Sequence, residues 1–167
     1  QQAGYDVVIV DNLSNSSASV VDGIEKITGI RPAFEQVDCC DYANLEGVFQ
    51  KYSNIKGIIH FAASKAVGES VEKPLLYYRN NLNSLINLLE LMPKYDVKGI
   101  IFSSSCTVYG QPDPEFLPVT EEAPIKKAES PYGNTKQVNE EIIQDYIKSG
   151  ANIKSVILRY FNPIGSH

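Results

Sequence analysis

Five short apolar runs, each separated from the next by a stretch with helical spacing, constrain this chain more than any other feature. They cover residues 6–10, 32–37, 57–61, 98–103 and 153–158, and all are rich in Val, Ile or Phe. Strands alternating with helices pair in parallel through right-handed crossovers, so the pattern predicts an α/β fold with a doubly wound parallel sheet covered on both faces. Helices are expected over 18–28, 42–52, 74–92 and 131–149, with Gly29 and Gly150 as stops for the first and last. The third helix carries Leu75, Tyr78, Leu82, Leu85, Ile86 and Leu89 at spacings of three and four, an apolar stripe expected to face the core. Residues 111–130 hold Pro112, Pro114, Pro118 and Pro124 with several acids and read as a surface loop, either a cover for bound substrate or a solvated connector.

That loop joins two segments with a chemical signature. The fourth run leads into Ser103-Ser104-Ser105-Cys106-Thr107-Val108-Tyr109-Gly110, and the last helix opens on Tyr132-Gly133-Asn134-Thr135-Lys136. On a helix Tyr132 and Lys136 share a face at i and i+4, so the ammonium can approach the phenol and favour its ionised form. Such a tyrosine can move protons near neutral pH, and a serine at a strand end can hold the substrate oxygen while a hydride leaves the carbon. A tyrosine and a lysine four apart also occur on ordinary exposed helices; what marks this pair is its surroundings.

At 167 residues the chain has room for one domain with a sizeable core, so residues 1–167 are expected to form one. Hydrophobic residues make up 43% and charged residues 21%, the balance of a globular protein. No run is long enough to span a bilayer, and the first residues lack a basic start and an apolar signal core. A net charge of -5 argues against nucleic acid or an anionic membrane as the main partner. Cys39, Cys40 and Cys106 have no metal-ligand spacing, and reduced thiols in the cytoplasm are expected; no metal site is predicted. Cys106 can be read as a nucleophile, but the sequence places no histidine to activate it, and a small buried residue is the simpler reading. A strand and Gly-rich turn able to bind a pyrophosphate do not precede Tyr5, so the chain is expected to be an internal fragment of a longer protein, stopping after its last strand at Gly165-Ser166-His167.

Five segments together carry a resemblance. They are Val10-Asp11-Asn12-Leu13-Ser14-Asn15-Ser16, the stretch from His60-Phe61-Ala62-Ala63-Ser64-Lys65 to Ser70, the serine block, Ser130-Pro131-Tyr132-Gly133-Asn134-Thr135-Lys136, and Leu158-Arg159-Tyr160-Phe161-Asn162-Pro163-Ile164-Gly165. Over essentially its whole length the sequence resembles the UDP-glucose 4-epimerase family of the extended short-chain dehydrogenase/reductase superfamily. The resemblance implies a Rossmann-like sheet, truncated at its N-terminal strand and lacking the C-terminal substrate domain. It also implies tightly bound NAD, a UDP-sugar substrate, and a homodimer for the parent protein, paired through its long helices. In the implied reaction a tyrosine removes the proton of the sugar 4-hydroxyl, hydride leaves C4, the 4-keto sugar turns over, and hydride returns to the other face.

Carried over residue by residue, the resemblance makes Ser105, Tyr132 and Lys136 the catalytic group. It assigns Asp11, Asn12, Asn15, Ser16, Asp38, Cys39, Phe61, Ala62, Ala63, Lys65, Asn80, Ser103, Tyr132, Lys136, Tyr160 and Phe161 to NAD. Lys65, Ser105, Thr107, Tyr132 and Asn162 fall to the sugar nucleotide. A carboxylate at Asp11 accepts hydrogen bonds from both ribose hydroxyls and repels a 2′-phosphate, favouring NAD over NADP. Plainer readings stand beside these: Asp38 as the N-cap of the next helix, Lys65 as a solvated loop lysine, Asn80 on an outer helix face, Tyr160 and Phe161 as core aromatics. His60 reads as a satisfied strand-end histidine. Related 4,6-dehydratases carry an Asp-Glu pair after the serine; here Cys106 and Thr107 stand there, and neither supplies an acid and a base for eliminating water. A decarboxylase of the same superfamily and a non-catalytic nucleotide-binding module are two further readings of the same residues. The resemblance also implies that the isolated chain is inactive and binds NAD poorly.

Overall fold

The computed structural model describes residue 1 and residues 3–162. The end of the last quoted segment, Pro163-Ile164-Gly165, lies outside the described residues, as does the chain end at Ser166-His167. The chain divides into two compact units, Gln1–Ser53 and Asn54–His167.

In the first unit β1 (Val8–Val10) and β2 (Ala33–Glu35) pair in parallel, Val8 opposite Ala33 and Val10 opposite Glu35. Helix α1 (Ser19–Thr28) connects them and ends at Gly29, whose φ of 73° only glycine adopts without strain; its N–H returns to the Glu25 carbonyl. Helix α2 (Tyr42–Lys51) starts at Asp41, whose carboxylate accepts from the Asn44 N–H at 3.1 Å. Among the described residues of this unit, Val21, Pro32, Leu45, Val48 and Phe49 are buried.

The second unit is a three-stranded parallel sheet in the order β3 (Ile58–His60), β4 (Gly99–Ser105), β5 (Lys154–Tyr160). Helices α3 (Val67–Glu72) and α4 (Pro74–Lys94) link β3 to β4, and α5 (Pro131–Lys148) links β4 to β5. Helix α3 was not expected from the sequence; it is a six-residue turn of helix, too short to show a period. Helix α5 packs on α4, β4 and β5. Ile100 and Phe102, on the same sheet face as Ser104, are buried, while Ile59, Val156 and Leu158 on the opposite face are exposed. No helix among the described residues is long and apolar enough to cross a membrane.

The buried side of α4 coincides only in part with the stripe expected from its leucines: Leu85 and Leu89 are buried as expected. Leu75 is 79% exposed, and the buried positions are Tyr77, Asn81, Ser84, Leu85, Leu88, Leu89, Leu91 and Met92. The face is rotated because it contains Asn81 and Ser84, polar residues that a hydrophobic count assigns to solvent.

Candidate active site

In parallel α/β sheets, binding residues collect where strands end at their carboxyl edge, and the sequence puts its polar segments there. After β1, Asp11 Oδ1 accepts from the Leu13 N–H at 2.7 Å and from Ser16 Oγ at 2.9 Å. These bonds wrap the loop so tightly that Leu13 sits at φ 58°, an uncommon conformation for a branched side chain. Asn12 Nδ2 donates to Asp38 Oδ2 at 3.1 Å, and Asp38 Oδ1 accepts from the Cys40 N–H at 2.8 Å. The Cys40 amide, helped by Asn12, holds the Asp38 carboxyl below its ordinary range, while burial, with Asp38 beside it, pushes the Cys39 thiol up to about 11. Asp11, Asn12, Ser16, Asp38 and Cys39 thus lie together at the ends of β1 and β2, and Asn15 is exposed on the same loop. Asp38 does not cap α2; Asp41 does, three residues on.

In the second unit, Ser105 is the last residue of β4, and its Oγ accepts from the Thr107 N–H at 3.3 Å to start a 3₁₀ turn over Cys106–Tyr109. Helix α5 starts just as sharply: Ser130 Oγ accepts from the Gly133 N–H at 3.1 Å, with Pro131 in the first turn. Gly133 lets the helix meet that turn, because a Cβ there would lie 3.3 Å from the Thr107 side chain and carbonyl. Tyr132 is brought to Ser105 in this way. Burial raises the Tyr132 phenol above its ordinary value, and the neighbouring Ser105 hydroxyl pulls it down.

Lys136 departs from the sequence expectation. It is only 4% exposed, its Nζ donates to the Ser103 carbonyl at 2.7 Å, and it lies 4.9 Å from the Phe102 ring centroid and 5.9 Å from that of Tyr132. Burial lowers the ammonium to about 8. The helix does put Tyr132 and Lys136 on one face, but the cation is anchored on a backbone carbonyl under the rings, and the phenol is raised rather than favoured as phenolate.

The loop after β3 is fixed from α4. Asn81 accepts from the Ser64 N–H at 2.8 Å and donates from Nδ2 to the Ser64 carbonyl and to Thr135 Oγ1. Asn80 donates to Ser64 Oγ at 3.2 Å, which removes it from the outer face. Ala63 is half-buried, whereas Phe61, Ala62 and Lys65 are exposed. The Phe61 ring faces Tyr160 at 6.4 Å between centroids. Tyr160 and Phe161 are 44% and 53% exposed, so they are not core aromatics, and Asn162 is exposed beside them. Thr107 Oγ1 is buried without a hydrogen-bond partner. His60 closes β3, buried and stacked on Phe102 at 5.9 Å.

Asn81 was missed from the sequence, although the pair Asn80-Asn81 inside a leucine-rich helix was a visible signal. Glu140 was missed too, one turn beyond Lys136 on the Tyr132 face and 2% exposed.

A Rossmann-like parallel sheet with a Ser–Tyr pair and a buried lysine defines a class of dinucleotide-dependent enzymes, and over residues 1–167 the chain belongs to the NAD dependent epimerase/dehydratase family. It is 50% identical over 168 residues to a UDP-glucose 4-epimerase of Schizosaccharomyces pombe, covering 99% of this chain and 47% of that protein. A UDP-glucose 4-epimerase of Mus musculus is 45% identical over 172 residues, with 99% and 49% covered. The crystal structure of the Bifidobacterium longum UDP-glucose 4-epimerase, in complex with NAD+ and UDP, superposes with a TM-score of 0.93 at 48% identity over 99% of this chain and 48% of that one. The chain spans about half the length of these relatives.

Proposed function

We propose that the protein carrying this chain interconverts UDP-glucose and UDP-galactose at the sugar C4 with NAD as its cofactor. The observation that carries the proposal is Tyr132 beside Ser105 and 5.9 Å from the buried Lys136 ammonium, with no carboxylate in the turn after Ser105. Bound NAD supplies the acceptor and donor of hydride. For the adenosine end, both loop bonds to Asp11 fall on Oδ1, so ribose hydroxyls would donate to Oδ2, with Asp38 and Cys39 beside the base and Asn12, Asn15 and Ser16 along the loop. For the nicotinamide end, Lys136 Nζ has one proton on the Ser103 carbonyl, leaving others for ribose hydroxyls. Phe61, Ala62, Ala63, Lys65 and Asn80, with Tyr160 and Phe161, are proposed to line that side.

Ser105 holds the sugar 4-oxygen and Tyr132 takes its proton, then returns it to the same oxygen after the ring has turned over. To take that proton near neutral pH the phenol must fall below its value in this state; the Ser105 hydroxyl beside it acts in that direction already, and positive charge beside it is the remaining cause available. Thr107, whose Oγ1 has no hydrogen-bond partner, is proposed for the sugar, and the exposed Asn162 and Lys65 for the nucleotide. Cys106 and Thr107 offer no acid–base pair for dehydration. Exposed Val67, Val71, Leu75 and Leu76 on α3 and α4 support a homodimer through these helices, and three free thiols support a cytoplasmic setting.

Full-length protein should convert UDP-galactose to UDP-glucose without added reductant, and Tyr132→Phe should lower kcat by roughly 10²–10⁴-fold while leaving NAD bound. Unchanged turnover in that variant refutes the assignment.

A further inference from the structure

One side of α5 reaches three consecutive residues of β4. Tyr132, Lys136 and Glu140 are spaced at i, i+4 and i+8; Tyr132 lies beside Ser105, Lys136 bonds the Ser103 carbonyl, and Glu140 Oε1 accepts from Ser104 Oγ at 2.5 Å. The first two contacts belong to the proposed chemistry; the third does not touch it. Glu140 is held from β5 as well. Arg159, paired in register with Ser104, donates Nε to Glu140 Oε1 at 3.0 Å and Nη2 to Oε2 at 2.7 Å. Its Nη1 donates to the Tyr109 hydroxyl at 3.0 Å, and its guanidinium lies 4.9 Å from the Tyr109 ring centroid. Tyr109 ends the 3₁₀ turn that begins immediately after Ser105. One carboxylate therefore joins the helix bearing Tyr132, the strand bearing Ser105 and, through Arg159, the turn between them. A planar two-point fork sets direction as well as distance, which a single ammonium contact does not.

We propose that Glu140 is a positioning residue: clamped between Ser104 and Arg159, it sets the rotation and height of α5 so that the Tyr132 phenol meets Ser105. The inference rests on the functional reading above for its kinetic consequence, not for its geometry.

The test uses the full-length protein carrying Glu140→Gln, with Ser104→Ala as a milder variant that keeps the Glu140–Arg159 pair. Two quantities are read: kcat and KM for UDP-galactose, and the ionisation of Tyr132. The second is the tyrosinate absorbance of each variant minus that of the same variant with Tyr132→Phe, needed because the chain has ten tyrosines. Titratable groups around the phenol are Cys106 from the turn, Tyr77 from α4 and Lys136 from α5. Removing the Glu140 charge would by itself ease phenol ionisation, whereas moving the phenol away from the Ser105 hydroxyl makes it harder, so the sign separates charge from geometry.

For Glu140→Gln, kcat should fall roughly tenfold to a hundredfold with KM within about twofold, and Tyr132 should ionise at higher pH. Ser104→Ala should shift both in the same direction by less, and the double variant should be no worse than Glu140→Gln alone. A folded Glu140→Gln protein with unchanged kcat, a downward or absent Tyr132 shift, or a loss seen only in KM overturns the proposal. If the unaltered protein does not turn over UDP-galactose, the functional reading fails and the Tyr132 titration still decides this one.

Discussion

At the scale of single residues, the second unit holds two bases whose protonated forms its interior disfavours. His60 falls from 6.5 to about 3, first by burial and then by the charge of Lys136. Between those values the unfolded chain binds a proton that the folded state refuses, so this stability is complete above about pH 6.5 and is lost as pH falls towards 3. His60→Gln should therefore lose less stability between pH 7 and pH 4, by on the order of 3 kcal/mol, in urea titrations at the two pH values. Lys136 is depressed from 10.5 to about 8, so its penalty is full below about 8 and is relieved as pH rises towards 10.5. Lys136→Met should stabilise the fold at pH 7 by up to about 3 kcal/mol, with the gain vanishing above pH 10 in thermal melts. No change at pH 7 would mean that the Ser103 carbonyl already offsets the burial cost. The identity of Lys136 was legible from its spacing to Tyr132; its charge state was not, because that depends on Phe102 and Ser103, more than thirty residues away in sequence.

At the scale of elements, the five strands and four longer helices were legible because each is encoded by neighbours at periods of 2 and 3.6. What fastens them together is polar. Asn81, Ser84, Thr135, Asn139 and Glu140 are all buried between or beneath helices. Asn81 substitutes for a strand edge by pairing with both the N–H and the carbonyl of Ser64. Asn81→Ala leaves the Ser64 N–H and carbonyl without that partner, at about 1–3 kcal/mol for each group left unpaired, while Thr135 keeps its bond to the Tyr132 carbonyl. The variant should lose stability by about 2–4 kcal/mol in denaturant titration, and amide exchange should rise in residues 62–66 ahead of the rest of the unit. Equal exchange across the unit would show that the loop is held by something other than Asn81.

At the scale of the molecule, the chain divides into two compact units. The first has a two-stranded sheet and a core of Val21, Leu45, Val48 and Phe49; the second has a three-stranded sheet around Ile100, Phe102, Leu85, Leu88 and Ile143. Two-stranded sheets with few buried side chains open at low free energy. Amides of β1 and β2 should exchange faster than those of β4 in hydrogen-exchange measurements, and equal protection would mean that the units unfold as one.

The sequence by itself determined the order of strands and helices, the cap at Gly29, and the candidate group Ser105, Tyr132 and Lys136. These depend on residues a few positions apart, where backbone period and side-chain direction are set locally. Only tertiary structure decided that Leu75 is exposed while Asn81 is buried, that Lys136 is held by a carbonyl, and that Glu140 reaches Ser104 across 36 residues of chain. A polar residue can be buried only where a distant partner satisfies it, and that partner is chosen by packing rather than by sequence spacing.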